Sequence, residues 1–399
     1  MNPPGALPPS RLVILAASCG SFGIMAWVLW VWVFAAEPAQ DWMVFYTAAR
    51  AYFDGNLPLI FDGQALTAAL NQRFAGWLAM PLHLHPWVYP PSFLVLFAPF
   101  GMLPPFASLV VFLASGFIAL GAAASLHVGR GQRRWIVAFS LVLCPAVPFN
   151  VMTGQNAFFT SALLVGGFGL LTRYPVLAGA LLGILTFKPQ LWLMVPVALL
   201  AARQWRALGS ATASALAVAL LSLALFGPEI WRVWFALMRG TDEAYRAWVA
   251  SGRLNGISVF ACVAWLGASP GVANLAQWTA IAIAAAFVYQ AFRRPQPGAL
   301  ELAVLLAATM LAAPHVSTSD AVLLALATSL FVAASGGEGP RPAHLMLAAA
   351  VWIIPLFNPP SVFRPGSVTP LLIVALLLVI LARIREAGTP QPAAPDRSA

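Results

Sequence analysis

Charged side chains are scarce in this chain, so the few that lie near apolar stretches are the first candidates for chemistry. Asp41 follows the first long apolar stretch by a few residues. A carboxylate there can take a proton from a hydroxyl as a general base, or cap the first amides of a helix. Lys188 is the single lysine and sits in Thr186-Phe187-Lys188-Pro189-Gln190, inside an apolar stretch. Its ammonium can hold a phosphate or snorkel to an interface. The neighbouring proline favours the first, since an uninterrupted span would not need it. His315 and Asp320 lie in Pro314-His315-Val316-Ser317-Thr318-Ser319-Asp320, which reads either as a polar turn facing a site or as an ordinary connection. Two further polar joints are Gly154-Gln155-Asn156 and Arg253-Leu254-Asn255-Gly256-Ile257-Ser258. Each is a turn or a set of donors for sugar hydroxyls or phosphate. Glu229, Asp242 and Glu243 read as solvated charges, and Glu301 as a helix-start carboxylate. His83, His85, His127 and His344 have no evident partners. There is no HExxH, no P-loop, no Rossmann glycine pattern and no DxD pair. A nucleotide-sugar or ATP site is therefore unsupported, and no metal or other cofactor is expected.

The elements that must carry these residues follow from composition. Of 399 residues, 61% are hydrophobic and 8% charged. A soluble domain is about 25% charged, and a soluble chain this apolar would expose sticky patches and aggregate. Lipid solvates such a surface, so the fold class is an all-α polytopic membrane protein. The net charge of +9 is not a nucleic-acid signature, because arginine clusters fall between apolar runs as in cytoplasmic loops. Cys19, Cys144 and Cys262 lie in apolar runs without metal-ligand spacing and read as small hydrophobes.

A span needs roughly 20 apolar residues. The stretches Leu12–Ala36, Phe106–Leu126, Trp135–Val151, Ala157–Leu171, Leu208–Phe226, Val272–Phe292, Leu300–Ala313, Ala321–Ala334, Leu345–Phe357 and Val368–Ala382 qualify or nearly so. Leu12–Ala36 reads as a retained first span, not a cleaved signal. Tyr89–Phe100 is short and rich in proline. Val176–Leu200 is broken at Lys188-Pro189 and Pro196, and is either one kinked span or a hairpin of two half-helices. The expectation is about 10–13 spans. One membrane domain covers residues 1–385, with long outer connections at 37–89 and 227–256, and 386–399 form a disordered Pro/Ala-rich tail.

Arginines set the expected orientation. Arg130, Arg133 and Arg134, then Arg203 and Arg206, Arg293 and Arg294, and Arg383 and Arg385 are placed in the cytoplasm. The long connections and the turns His315–Asp320 and Asn358–Gly366 then face outward, although Arg130 falls on the wrong side if Tyr89–Phe100 crosses fully. In the first outer segment Asp41, Trp42, Phe45, Tyr46, Ala49, Tyr52 and Phe53 follow helical spacing, which predicts an interfacial helix. A second short helix is expected over Ala65–Leu78.

Taken in order, these pieces resemble glycosyltransferase family 87, the polyprenyl-phosphate-mannose-dependent mannosyltransferases of the GT-C superfamily. The resemblance is carried by Asp41 after the first span, Tyr46-Thr47-Ala48-Ala49-Arg50-Ala51 and Gly55, Tyr89-Pro90-Pro91 with Pro99, and Gly154-Gln155-Asn156. It continues through Ala178-Gly179 to Lys188-Pro189, Arg203-Gln204-Trp205-Arg206, Asn255-Gly256-Ile257-Ser258 and Pro314-His315 with Asp320. The stretch Asn255-Gly256-Ile257-Ser258 departs from the family's Asn-Gln-Ser pattern. The resemblance implies a GT-C fold in a cell membrane, with Asp41 as catalytic base and His315 contributing to the site. It implies Lys188 and Arg253 at the donor phosphate, and Tyr46, Tyr89, Gln155, Asn156, Asn255 and Asp320 around the substrates. The partners implied are membrane lipids, a polyprenyl-phosphate-linked sugar as donor, and a glycolipid or glycan acceptor. Mannose is the first expectation for the sugar, with glucose, galactose and arabinose left open. A transporter or flippase is the main alternative, because broken helices of the Lys188-Pro189 kind are common in transporters. A lipid-linked polymer ligase and a non-catalytic scaffold are the others.

Overall fold

The computed structural model describes residues 39–127, 133–238, 256–293, 297–335, 340–354 and 368–386, together with Gly20 and Gly23. Leu12–Ala36 apart from Gly20 and Gly23, and Arg130, Asp242, Glu243, Arg253, Asn255, Arg294 and Asn358–Gly366, lie outside the described residues, as does the tail beyond Glu386. Among the described residues the regular structure is helical. Prolines that break the apolar pattern in the sequence sit in the first turn of helices, where no amide hydrogen is required. Pro91, Pro105, Pro175, Pro189, Pro270 and Pro342 all do this.

The first region holds α1 (Gln40–Phe53), a 3-10 turn at Leu57–Phe61, α2 (Gly63–Arg73) and α3 (Pro91–Gly101). A helix over the expected first stretch and its short successor are therefore present, the latter starting two residues early because Asp62 caps the amides of Gln64 and Ala65. The bundle follows: α4 (Pro105–Ser125), α5 (Arg133–Val142), α6 (Ala146–Thr153), α7 (Ala157–Leu170), α8 (Pro175–Ile184), α9 (Pro189–Trp192), α10 (Met194–Ala201) and α11 (Trp205–Phe226). After it come α12 (Val259–Trp265), α13 (Pro270–Phe292), α14 (Ala299–Ala312), α15 (Val322–Ala334), α16 (Pro342–Ile353) and α17 (Thr369–Glu386). Glu386, read from sequence as tail, still belongs to α17 and pairs with Arg383.

Among the described residues three helices, α4, α11 and α13, are long and apolar enough to cross a membrane. They carry exposed rows such as Phe106, Val110 and Ile118 on α4, and Leu216, Leu220 and Leu225 on α11. Those rows are the lipid-facing surface of a multi-pass membrane protein. The expected span Trp135–Val151 is two helices, α5 and α6, bent by 43° at Cys144-Pro145. The shorter apolar helices lie between the long ones, and α14 and α15 are buried along nearly their whole length.

Close contacts fix the directions. Gly116 meets Phe158 and Phe159, Gly166 meets Ala123, and Gly169 meets His127. Helices α4 and α7 therefore run parallel, with α5 and α6 returning between them. Gly179 and Gly183 meet the carbonyls of Ala207 and Ala211, and Ser210 and Ser214 donate to the carbonyls of Val176 and Ala180. Helices α8 and α11 are thus also parallel, so α9 and α10 must run back between them. The alternative left open by the sequence resolves as the hairpin of two half-helices, with Lys188 at its tip.

This hairpin gathers the arginines. Arg173 follows α7, and Arg203 and Arg206 flank the start of α11, at the same end of the bundle. Phe292 packs on Phe168, Arg385 donates to Gln290 and Arg383 donates to the Ser335 carbonyl. Arg293, Arg383 and Arg385 therefore lie at that end too. Helix α3 does not cross. It starts at Tyr89, bonded to Gln155 at the opposite end, and it finishes at Gly101, where α4 begins its run towards the arginines.

Candidate active site

The end of the bundle away from the arginines collects five pieces of chain: the start of α1, the segment 82–89, the turn 152–156, the hairpin tip at 185–188, and the turn 313–321. Their joining is explicit in the hydrogen bonds. The Ala39 amide donates to the Met152 carbonyl at 2.6 Å, which seats the start of α1 on the turn after α6. Gly154 has φ +68°, and a Cβ there would fall 2.5 Å from that of Trp42. Glycine at this position lets α1 and the turn touch.

Asp41 is the second residue of α1 and accepts no amide bond as a cap. Its Oδ1 lies 3.0 Å from Nε2 of His85. The pair keeps 26% and 31% of its side-chain surface for Asp41 and His85 respectively, enough to meet a ligand. His85, which the sequence left without a partner, is thus a site residue that sequence reasoning missed. No spacing rule could find it, because 44 residues separate the two. The only signal was that both lie in the same outer connection.

Behind this pair stands a buried polar row. The Tyr89 hydroxyl donates to Gln155 Oε1 at 3.1 Å. Lys188 Nζ donates to Asn156 Oδ1 at 3.2 Å and to Asp320 Oδ1 at 2.6 Å. The other oxygen of Asp320 accepts from the amide and hydroxyl of Ser317, and Ser319 bonds Thr153. The Lys188 and Asp320 side chains are 5% and 2% exposed, so each charge is neutralised by the other and not by solvent. Burial pushes the Tyr89 hydroxyl up to about 12. The Lys188 ammonium opposes this shift, and the Asp320 and Asp41 carboxylates add to it. Tyr89 therefore stays a neutral donor at physiological pH.

The structure brings together Asp41, Tyr89, Gln155, Asn156, Lys188 and Asp320, with His315 half-buried in the turn that supplies Asp320. Two of the expected site residues are held by partners within the chain. Lys188, expected to offer its charge to a donor phosphate, has that charge committed to Asp320, and Asp320 is committed in return. The reason is burial: an isolated charge inside the bundle would be far costlier than a pair. Tyr46, expected at the substrate, is 4% exposed, packs at a tilt on Trp42 and donates to the Leu103 carbonyl at 3.0 Å. It lies five residues beyond Asp41, on another face of the helix.

A family model, glycosyltransferase family 87, matches residues 87–314, more than half of the chain. The chain belongs to that family. The match includes Tyr89, Gln155, Asn156 and Lys188, and stops short of Asp41 on one side and of His315 and Asp320 on the other. No curated protein and no solved structure matches the chain. The protein is therefore a membrane glycosyltransferase of all-helical, multi-pass form. A carboxylate open to ligand, braced by an imidazole and backed by a neutral, hydrogen-bonded wall, suits transfer to a hydroxyl.

Proposed function

We propose that this glycosyltransferase moves a hexose, mannose first among the candidates, from a polyprenyl phosphate to a glycolipid or glycan acceptor at the outer membrane face. The observation that carries the reading is Asp41, which stays partly exposed beside His85, while Lys188 and Asp320 behind it are buried and paired with each other. Asp41 accepts the proton of the acceptor hydroxyl. The acceptor oxygen bonds to the anomeric carbon as the bond to the phosphate oxygen breaks. The electron pair leaves with the phosphate, a stabilised anion that needs no general acid. Attack opposite the phosphate inverts the anomeric centre, so a β-linked donor gives an α-linked product.

Positive charge stabilises the departing phosphate. In this reading Arg253 supplies it from the second outer connection, while the Lys188–Asp320 pair fixes the hairpin tip and the turn that carries His315. The polar side chains of Tyr89, Gln155 and Asn156 face sugar hydroxyls. The test is sugar transfer by purified protein in nanodiscs, from polyprenyl-phosphate-mannose to a panel of glycolipid acceptors, for wild type and Asp41→Asn. Transfer by wild type alone supports both the reaction and its base. Equal transfer by both removes Asp41 from the mechanism. Transfer only from another polyprenyl-phosphate sugar removes mannose.

A further inference from the structure

We propose that His85 is a positioning residue for the glycosyl transfer: its imidazole holds Oδ1 of Asp41, which turns Oδ2 towards the acceptor hydroxyl. The inference rests on Asp41 being the base. As a base the carboxylate is ionised and only accepts, so Nε2 of His85 carries the proton and donates across the 3.0 Å contact. During transfer the acceptor proton passes to Oδ2, and the Nε2 proton stays on the ring.

The chain around His85 is anchored as though to present this ring. The His85 amide donates to Thr67 Oγ1 at 2.9 Å, and that hydroxyl donates onward to the Gly63 carbonyl at 2.6 Å. Asn71 clamps Leu82 at both its amide, 2.8 Å, and its carbonyl, 3.0 Å. Trp87 is buried, and its indole donates to the Tyr89 carbonyl at 2.6 Å. Helix α2 thus fixes the backbone at Leu82 and at His85 without help from the imidazole. Asp41 is fixed separately, through Ala39 and Met152. Asp41 and His85 thus meet across two segments already held in place, which also pack on each other through Phe45 and Trp87. A partly exposed carboxylate in the first turn of a helix would otherwise sample several rotamers, and misplacing a base costs rate. Tyr89 and Lys188 also feel the Asp41 charge, but their hydrogen bonds go to Gln155, Asn156 and Asp320.

The test compares His85→Leu, His85→Gln and Asp41→Asn as full-length protein in nanodiscs, with radiolabelled polyprenyl-phosphate-mannose and a glycolipid acceptor that wild type uses. His85→Leu is expected to lower kcat by roughly 10- to 100-fold, the loss of one hydrogen bond to a charged group. The donor KM and the thermal midpoint stay near wild type. His85→Gln, whose amide can still donate to Asp41, recovers most of kcat. Asp41→Asn falls below both. A wild-type rate for His85→Leu beside an inactive Asp41→Asn overturns the inference and leaves the base standing. A Gln variant as slow as Leu also overturns it, because ring titration and not a held carboxylate would then matter. If His85→Leu fails to fold, the Gln variant decides alone, with a near-wild-type rate expected. Full activity in Asp41→Asn overturns the base, and the inference with it.

Discussion

The region from Ala39 to Phe112 packs through rings, whereas the helices that follow pack through alanine, leucine and glycine. Phe45 stands edge-on to Trp87, Tyr89, Phe93, Phe97 and Phe112. Trp42 stacks on Trp77 and meets Tyr46 and Phe74. Rings fill large volumes with few rotamers, which suits a region whose short helices cannot stabilise one another along their length. In the bundle the helices approach until a single Cβ would collide, as at Gly179 and Gly183. Lipid provides no hydrophobic drive between helices, so close contact and buried polar bonds do that work. The site lies on the seam. Asp41 and His85 belong to the aromatic region, while Asn156, Lys188 and Asp320 belong to the bundle. The contrast teaches that the ligand-facing pair is carried by the part made of rings, and the charge-neutral wall by the part made of small residues.

The comparison breaks most visibly if the two sides of the seam do not differ in kind. Asp41→Asn is expected to cut transfer by about 10²- to 10⁴-fold, the range of a general base, with no fall in the detergent melting midpoint. A fall in stability without loss of rate would place Asp41 among the structural charges. Lys188→Met should do the reverse and cost about 3–5 kcal/mol of stability, because Asp320 is left buried and alone. Thermal unfolding checks this. The double variant with Asp320→Leu should recover a large part of the loss, and no recovery would mean that the pair does not act as a unit. Gly179→Ala sharpens the account of the bundle. Its Cβ would lie 2.1 Å from the Ala207 carbonyl oxygen, and overpacking of this kind costs roughly 1–3 kcal/mol. An unchanged melting midpoint would mean that α8 and α11 pack less closely than described. Phe45→Leu sharpens the account of the rings. Losing the edge contacts alone should cost about 0.5–1.5 kcal/mol, read by the same melt. A zero effect would show that volume, and not ring geometry, holds that core.

Much of this was legible in the sequence because a bilayer imposes simple rules. Apolar length marked the membrane helices, and prolines marked where helices begin or break. A charge beside a span marked Asp41, Lys188 and Asp320 as exceptional. Helical spacing marked α1 as a helix. The order of weak motifs marked the family, because a series of them at fixed spacing is far more specific than any one alone.

Pairing was decided only by the tertiary structure. Nothing in the spacing tells that Lys188 meets Asp320 across 132 residues, or that His85 and not a helix amide meets Asp41. The hairpin of α8 to α10 was left undecided by sequence because proline reports a break and not the direction taken after it. Direction came from Gly179 and Gly183 against α11, which also places Arg173, Arg203 and Arg206 at one end. The burial of Tyr46 was not legible either, because helical spacing says which residues share a face, and only packing says what each face meets. Sequence determined which groups were too costly to be casual in a membrane. The folded chain determined how those costs are met: Lys188 and Asp320 neutralise each other in the interior, and Asp41 stays partly exposed beside His85.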